Sequence, residues 1–165
     1  MAFDNKKANA GLRKDLDKAH KRKVVDQFVQ FHKTVAIRAY REVTATANVA
    51  GGFGSPLWSG RFRASNNISI GSPDYDAKPP KAGAGAWTPA PISSPYPSRT
   101  PAEASLALNA LKPFDRVFIA NGVPYSRRIE LDGWSAQTPN GVYNVTAENM
   151  RVRFGNVKPI RLNVF

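Results

Sequence analysis

A chain of 165 residues, 42% of them apolar, can bury one ordinary core, and its 13 prolines point to long extended segments beside that core. It has no cysteine, which excludes disulfides, thiolate metal sites and a cysteine nucleophile, and no window approaches the roughly 18 consecutive apolar residues of a membrane span. The formal net charge of +12, with a pI near 10.3, points to a polyanionic partner or an acidic protein surface.

Residues 1–11 are polar and basic, so they are expected to be flexible or partner-dependent, and they lack the apolar centre of a secretory signal. The spacing then predicts a long helix over Gly11 to Thr46. Val25, Phe28, His32, Val35, Ala39 and Val43 recur at steps of three and four and share one face, widened by Val24, Phe31 and Ala36. The N-terminal half carries Arg13, Lys14, Lys18, Lys21, Arg22 and Lys23 against Asp15 and Asp17. That half is expected to project beyond the core or to be less ordered, while the apolar half packs on a sheet. Leu12 and Leu16 are too few bulky groups for a membrane-surface helix. A solvated face and an unspecific nucleic-acid arm both fit the charges.

Asn48 to Pro56 is a glycine-rich loop. It lacks a Gly-Lys-Ser/Thr ending and leads into a strand-like stretch, unlike a phosphate-cradling loop. Trp58 to Gly71 reads as a strand in which Phe62, Ala64, Ile68 and Ile70 alternate with Arg61, Arg63, Asn67 and Ser69, with a bulge at Ser65-Asn66. Arg61 and Arg63 would share a face, as a contact strip or as a solvated basic strip. Ser72 to Thr100, with seven prolines, can form neither helix nor central strand. Its bulky Tyr75, Trp87, Ile92 and Tyr96 mark it as an arm lying on a neighbouring subunit or component.

Thr100-Pro101-Ala102-Glu103 is a helix start with a threonine cap, proline at the first position and glutamate placed for a capping box. Leu106, Leu108, Ala110 and Leu111 would supply the apolar surface, and Lys112-Pro113 the stop. Arg116 to Ala120 reads as a strand, and Asn121-Gly122 as a turn. Val123-Pro124 is then extended, and Tyr125 to Leu131 forms about two helical turns. There Tyr125, Ile129 and Leu131 would face inward, leaving Arg127, Arg128 and Glu130 to solvent or a partner. Glu130 and Asp132 are expected to pair with Arg127 or Arg128. Gly133 would end the helix, and Pro139-Asn140-Gly141 would form the next turn. Val142 and Tyr143 to Thr146 read as a strand, with Thr146 capping a helix from Ala147 to Phe154. Val157 to Phe165 is an extended tail suited to a sheet edge. The fold class expected is α+β: one domain over 12–165, a long helix and shorter ones on a small antiparallel sheet, with an arm at 72–100 and a tail at 157–165.

No catalytic signature is present. His20 and His32 are too far apart on one helix for joint metal ligation. Asp74 and Asp76 lack further carboxylates at loop spacing, and no Gly-x-Ser-x-Gly elbow occurs. Neither an enzyme, a metal nor a cofactor is expected. The residues alone describe a basic, interaction-rich module.

Two blocks go further. The stretch from Asn121 to Gly141 contains Asn-Gly-Val-Pro-Tyr-Ser-Arg-Arg-Ile-Glu, then Gly-Trp-Ser-Ala-Gln, then Pro-Asn-Gly. It resembles a pattern of tail-completion proteins of long-tailed bacteriophages: Asn-x-x-Pro-Tyr-Ala, basic residues, Leu or Ile before Glu, and Gly-x-Ser-x-Gln-Ala-Pro-x-Gly. Ser55-Pro56-Leu57-Trp58-Ser59-Gly60-Arg61-Phe62-Arg63-Ala64-Ser65 is similar to that family's Pro-Val-Asp-Thr-Gly-Arg-Leu-Arg-x-Ser. The order of the blocks and the preceding basic helix also agree. The departures are Trp58 for Asp, Ser59 for Thr, Ser126 for Ala and Thr138 for Ala.

The resemblance implies a structural virion protein at the neck, made in the host cytoplasm, that joins the DNA-filled head to the tail. It implies a closed ring, six copies favoured and twelve possible, whose partners are the head connector or stopper and the tail terminator or tail-tube proteins. Unspecific contact with DNA in the lumen also follows. The interface residues would be Ser59, Gly60, Arg61 and Arg63 in one block. In the other they would be Pro124, Tyr125, Arg127, Arg128, Glu130, Gly133 and Trp134, joined by Tyr75, Trp87 and Tyr96 of the arm. A tail terminator ring is the alternative within the virion. A basic nucleic-acid-binding regulator is the alternative of another class, though the sequence shows no helix-turn-helix or aromatic sheet platform.

Overall fold

A computed structural model describes residues 5–46, 54–56, 60–79 and 99–155, with side chains described from residue 11 onward. Ser59, Trp87, Tyr96, most of the arm and the 157–165 tail lie outside the described residues. The fold is α+β. In chain order it comprises α1 (Asn5–Thr44), α2 (Arg61–Ala64), β1 (Asn66–Ile70), α3 (Pro101–Ala107), β2 (Val117–Asn121), α4 (Ser126–Leu131) and α5 (Tyr143–Phe154). The strands form a two-stranded antiparallel sheet in which Asn66 faces Asn121 and Ile70 faces Val117.

Two strands and a few short helices have no core without α1, which is about 60 Å long at 1.5 Å per residue. Its C-terminal third supplies Ala36 and Tyr40 to a cluster with Ile68, Ala104 and Leu108, and Val43 to a second cluster with Phe62, Val123, Ile129 and Val142. α5 runs antiparallel to it. Val142 meets Val43 at one end, and Phe154 lies edge-on to Phe31 at 6.0 Å at the other. Between them the buried Glu42 accepts from Asn149 Nδ2 at 3.2 Å and pairs with Arg38 at 3.4 Å and Arg153 at 3.7 Å.

A long helix is present as expected, but it begins at Asn5, inside the stretch read as flexible, and its buried stripe is shorter. Val25, Phe28 and Phe31 remain 40–44% exposed, and all residues from 11 to 23 are exposed. The core uses Tyr40, which the periodic reading omitted.

Three readings need correction. The strand expected over 58–71 begins only at Asn66, because Gly60, at φ 72°, opens a helical turn closed by Ala64 N to Gly60 O at 2.9 Å. Apolar residues at 62 and 64 satisfy a strand or a short turn equally well, and both are buried here. The strand expected at 142–146 is the first turn of α5, so Thr146 is a buried helix residue and not a cap. Leu131 is 62% exposed rather than inward, and Leu106 is 67% exposed, leaving Ala104, Leu108 and Leu111 as the buried residues of the α3 region.

The start of α3 is as read. Glu103 N donates to Thr100 Oγ1 at 3.2 Å, and Thr100 N donates to Glu103 Oε2 at 2.6 Å. The Thr100 amide, then its hydroxyl, hold the Glu103 carboxyl below its ordinary value of 4.5. A carboxyl pKa lower in the folded than in the unfolded chain adds stability at neutral pH that is lost as pH falls through the folded value. The stability gap between wild type and Glu103→Ala should therefore be open at pH 7 and narrow in acid below that range, measured by urea unfolding across pH.

Candidate functional site

The two blocks singled out in the sequence come together in space. Asn121 ends β2, and its Nδ2 donates to Phe62 O at 2.7 Å and to Asn66 Oδ1 at 3.1 Å. Its Oδ1 accepts Val123 N at 3.0 Å, which fixes the turn into Pro124. Asn66 Nδ2 reaches Phe62 O at 3.2 Å, Arg63 O at 3.1 Å and Ser55 Oγ at 3.3 Å. It thereby satisfies carbonyls left open at the end of α2. Ser55 Oγ donates to Val43 O, and Tyr40 Oη donates to Asn66 O at 3.2 Å. Tyr143 Oη donates to Asn66 Oδ1, and its burial raises the phenol pKa above the ordinary 10.0. Both asparagines are buried with their carboxamide groups fully engaged.

Glu130 is the second organising group, and its role differs from the one expected. Its Oε2 accepts Val142 N at 2.8 Å and Tyr143 N at 3.0 Å, and its Oε1 accepts Asn144 N at 2.7 Å. These are amides at the start of α5, so a carboxylate twelve residues upstream caps that helix. Gly141, at φ 79°, makes room. A β-carbon there would lie 2.8 Å from Glu130 O and 2.9 Å from its carboxylate.

The remaining expected site residues divide into scaffold and surface. Gly60 (φ 72°) and Gly133 (φ 58°) both occupy the left-handed region. Tyr125 and Trp134, half-buried, face each other at 5.9 Å. Arg61 and Arg63 do not form one strip: Arg61 Nε donates to Lys78 O at 2.6 Å, and Arg63 Nη1 to Thr46 Oγ1 at 3.0 Å. Pro124, Arg127 and Arg128 are exposed on α4 and its approach.

Tyr75 is 64% exposed on a strap, residues 72–79, that lies fixed on the sheet. Asn67 Nδ2 donates to Asp76 O at 2.6 Å and Asp74 O at 3.3 Å, and Lys78 N donates to Ser65 Oγ at 3.0 Å. The strap passes so close to Gly122 that a β-carbon there would overlap Tyr75 O. The Asp74 carboxylate accepts Asp76 N at 3.0 Å, a local turn. The charges of Lys78 and Arg99 also act on Glu103, adding to the lowering of its carboxyl pKa.

Among the described residues no group of three His, Asp or Glu side chains could hold a metal ion, and no described helix is long and apolar enough to cross a membrane. The arrangement is a tied frame that presents cations and aromatic rings outward. Against known proteins, the chain matches no family model, no curated protein and no solved structure.

The sequence reading missed Asn66, Ser55 and Tyr143. The available signal was an Asn-Asn pair where a strand begins, residues depleted in strands unless their side chains have a specific use. Asn121→Ala would leave Val123 N, Phe62 O and Asn66 Oδ1 without this partner, and should cost about 2–4 kcal/mol. Gly141→Ala should cost more than about 2 kcal/mol, and Arg127→Ala less than about 0.5 kcal/mol. Guanidinium unfolding midpoints of the three variants test that order.

Proposed function

We propose that this protein is a structural subunit of a phage neck, forming a ring that joins the DNA-filled head to the tail. The observation that carries the reading is the union of the two blocks. Segments that resemble separate stretches of tail-completion proteins share one buried network, through Asn121, Phe62 and Asn66. The frame built there exposes Arg127 and Arg128 beside the paired Tyr125 and Trp134. A ring requires each copy to offer two different surfaces, one to each neighbour. The α4 surface is one candidate, and the strap at residues 72–79 with its exposed Tyr75 is the other.

On this reading six copies are favoured, to match tail symmetry, with twelve as the portal-side alternative. The partners are the head connector or stopper and the tail terminator or tail-tube proteins. The excess of 12 positive charges per copy lines or borders the DNA path, where contact is independent of sequence and weakens with salt.

Light scattering behind size exclusion, at low and high salt, should give the mass of a closed ring, or of one formed when a head or tail preparation is added. Arg127→Glu should lower the ring fraction without changing the unfolding midpoint. A monomer or dimer that binds a defined duplex sequence, and forms no ring with either preparation, would contradict the proposal and favour a regulator.

A further inference from the structure

Residues 11–23 of α1 are exposed throughout, yet they are patterned. Stepping back four residues at a time from the buried Tyr40 and Ala36, the same helix ridge continues through His32, Phe28, Val24 and His20 to Leu16 and Leu12. Such i, i+4 rows are the ridges with which helices pack against one another. Here the ridge emerges from the core and runs on uncovered: Phe28 is 42% exposed, Leu16 60% and Leu12 59%. A helical stretch with no tertiary contact is only marginally stable in water, and this one also contains Gly11.

A second feature lies where the ridge leaves the core. Phe114 has φ 67°, a conformation that disfavours a bulky side chain, and its ring is 87% exposed against Phe28, with centroids 5.4 Å apart. Glycine would suit that turn better. An aromatic ring stands at the base of the ridge despite that backbone strain.

Charge identifies the occupant. Between residues 11 and 23 the ridge is flanked by six cationic side chains and two acidic ones. A second copy laid on it would bring like charges together. Duplex DNA would engage the cations and leave the leucines without a role. An anionic membrane would need a broader apolar face than two leucines provide. We infer that this half of α1 is a docking helix for an acidic protein surface with an apolar ridge of its own, such as an acidic amphipathic helix of another protein. This inference does not depend on ring formation.

The test uses the full chain and two synthetic peptides of identical composition, rich in glutamate. One has leucine at every fourth position, and in the other the leucines are scattered. The patterned peptide should bind at least about tenfold tighter than the scattered one, with a rise in helicity. Leu12→Gln with Leu16→Gln should abolish that difference. Phe114→Gly should reduce it while leaving the unfolding midpoint unchanged or raised. Equal binding of the two peptides would overturn the inference. So would tight binding of a 20-base-pair duplex or phosphatidylserine vesicles with no preference for the patterned peptide. A fall in native mass caused by the leucine substitutions would overturn it as well, by assigning the ridge to a second copy.

Discussion

The rest of the structure depends on two buried carboxamides. Asn66 and Asn121 face each other across the sheet, at the first residue of one strand and the last of the other. Between them they bind backbone from α2, the loop at Ser55 and the turn at Val123, and they receive the hydroxyl of Tyr143 from α5. Burying amides is unfavourable unless every donor and acceptor finds a partner, and that requirement makes the arrangement specific. A slip of one residue in the sheet would turn one asparagine out of the network and strand the other, so register follows from polar satisfaction as well as from the apolar face. A sheet of two strands has little other means of fixing itself.

From that frame the outward features take their places. Gly60 and Asn66 bracket α2, which puts Phe62 in the core and sends Arg61 and Arg63 apart. Asn121 positions the turn into α4, and Glu130 on α4 in turn starts α5, which returns along α1 and seals Glu42 against Asn149. The strap over Gly122 anchors one root of the arm, and the capped start of α3 anchors the other. Rigid placement of these surfaces is what a subunit needs if it is to meet the same neighbours at every position of an assembly.

Much of this was legible in the sequence, for physical reasons that differ by element. The capping box at Thr100 and the glycine ends at 133 and 141 are local signals, and local geometry obeyed them. The long helix was legible because its period is sustained over many turns. What stayed hidden was non-local. Nothing near Val142 announces that its amide is capped by Glu130, so a short apolar run was read as a strand although it begins a helix. The alternation at 61–64 was too short to separate a turn from a strand, and the choice was made by Gly60 and Asn66. The candidate surface was legible as a set of residues and not as a geometry: Arg61 and Arg63 looked like a pair, and Glu130 looked like a surface partner for arginine rather than a cap for α5.

The place proposed for this protein is the neck of a virion. The most direct measurement of that placement is electron microscopy of lysates after deletion of the gene that encodes this chain. The account predicts DNA-filled heads and completed tails lying unjoined, with joining restored when the purified protein is added. Normal joined particles after the deletion would contradict it.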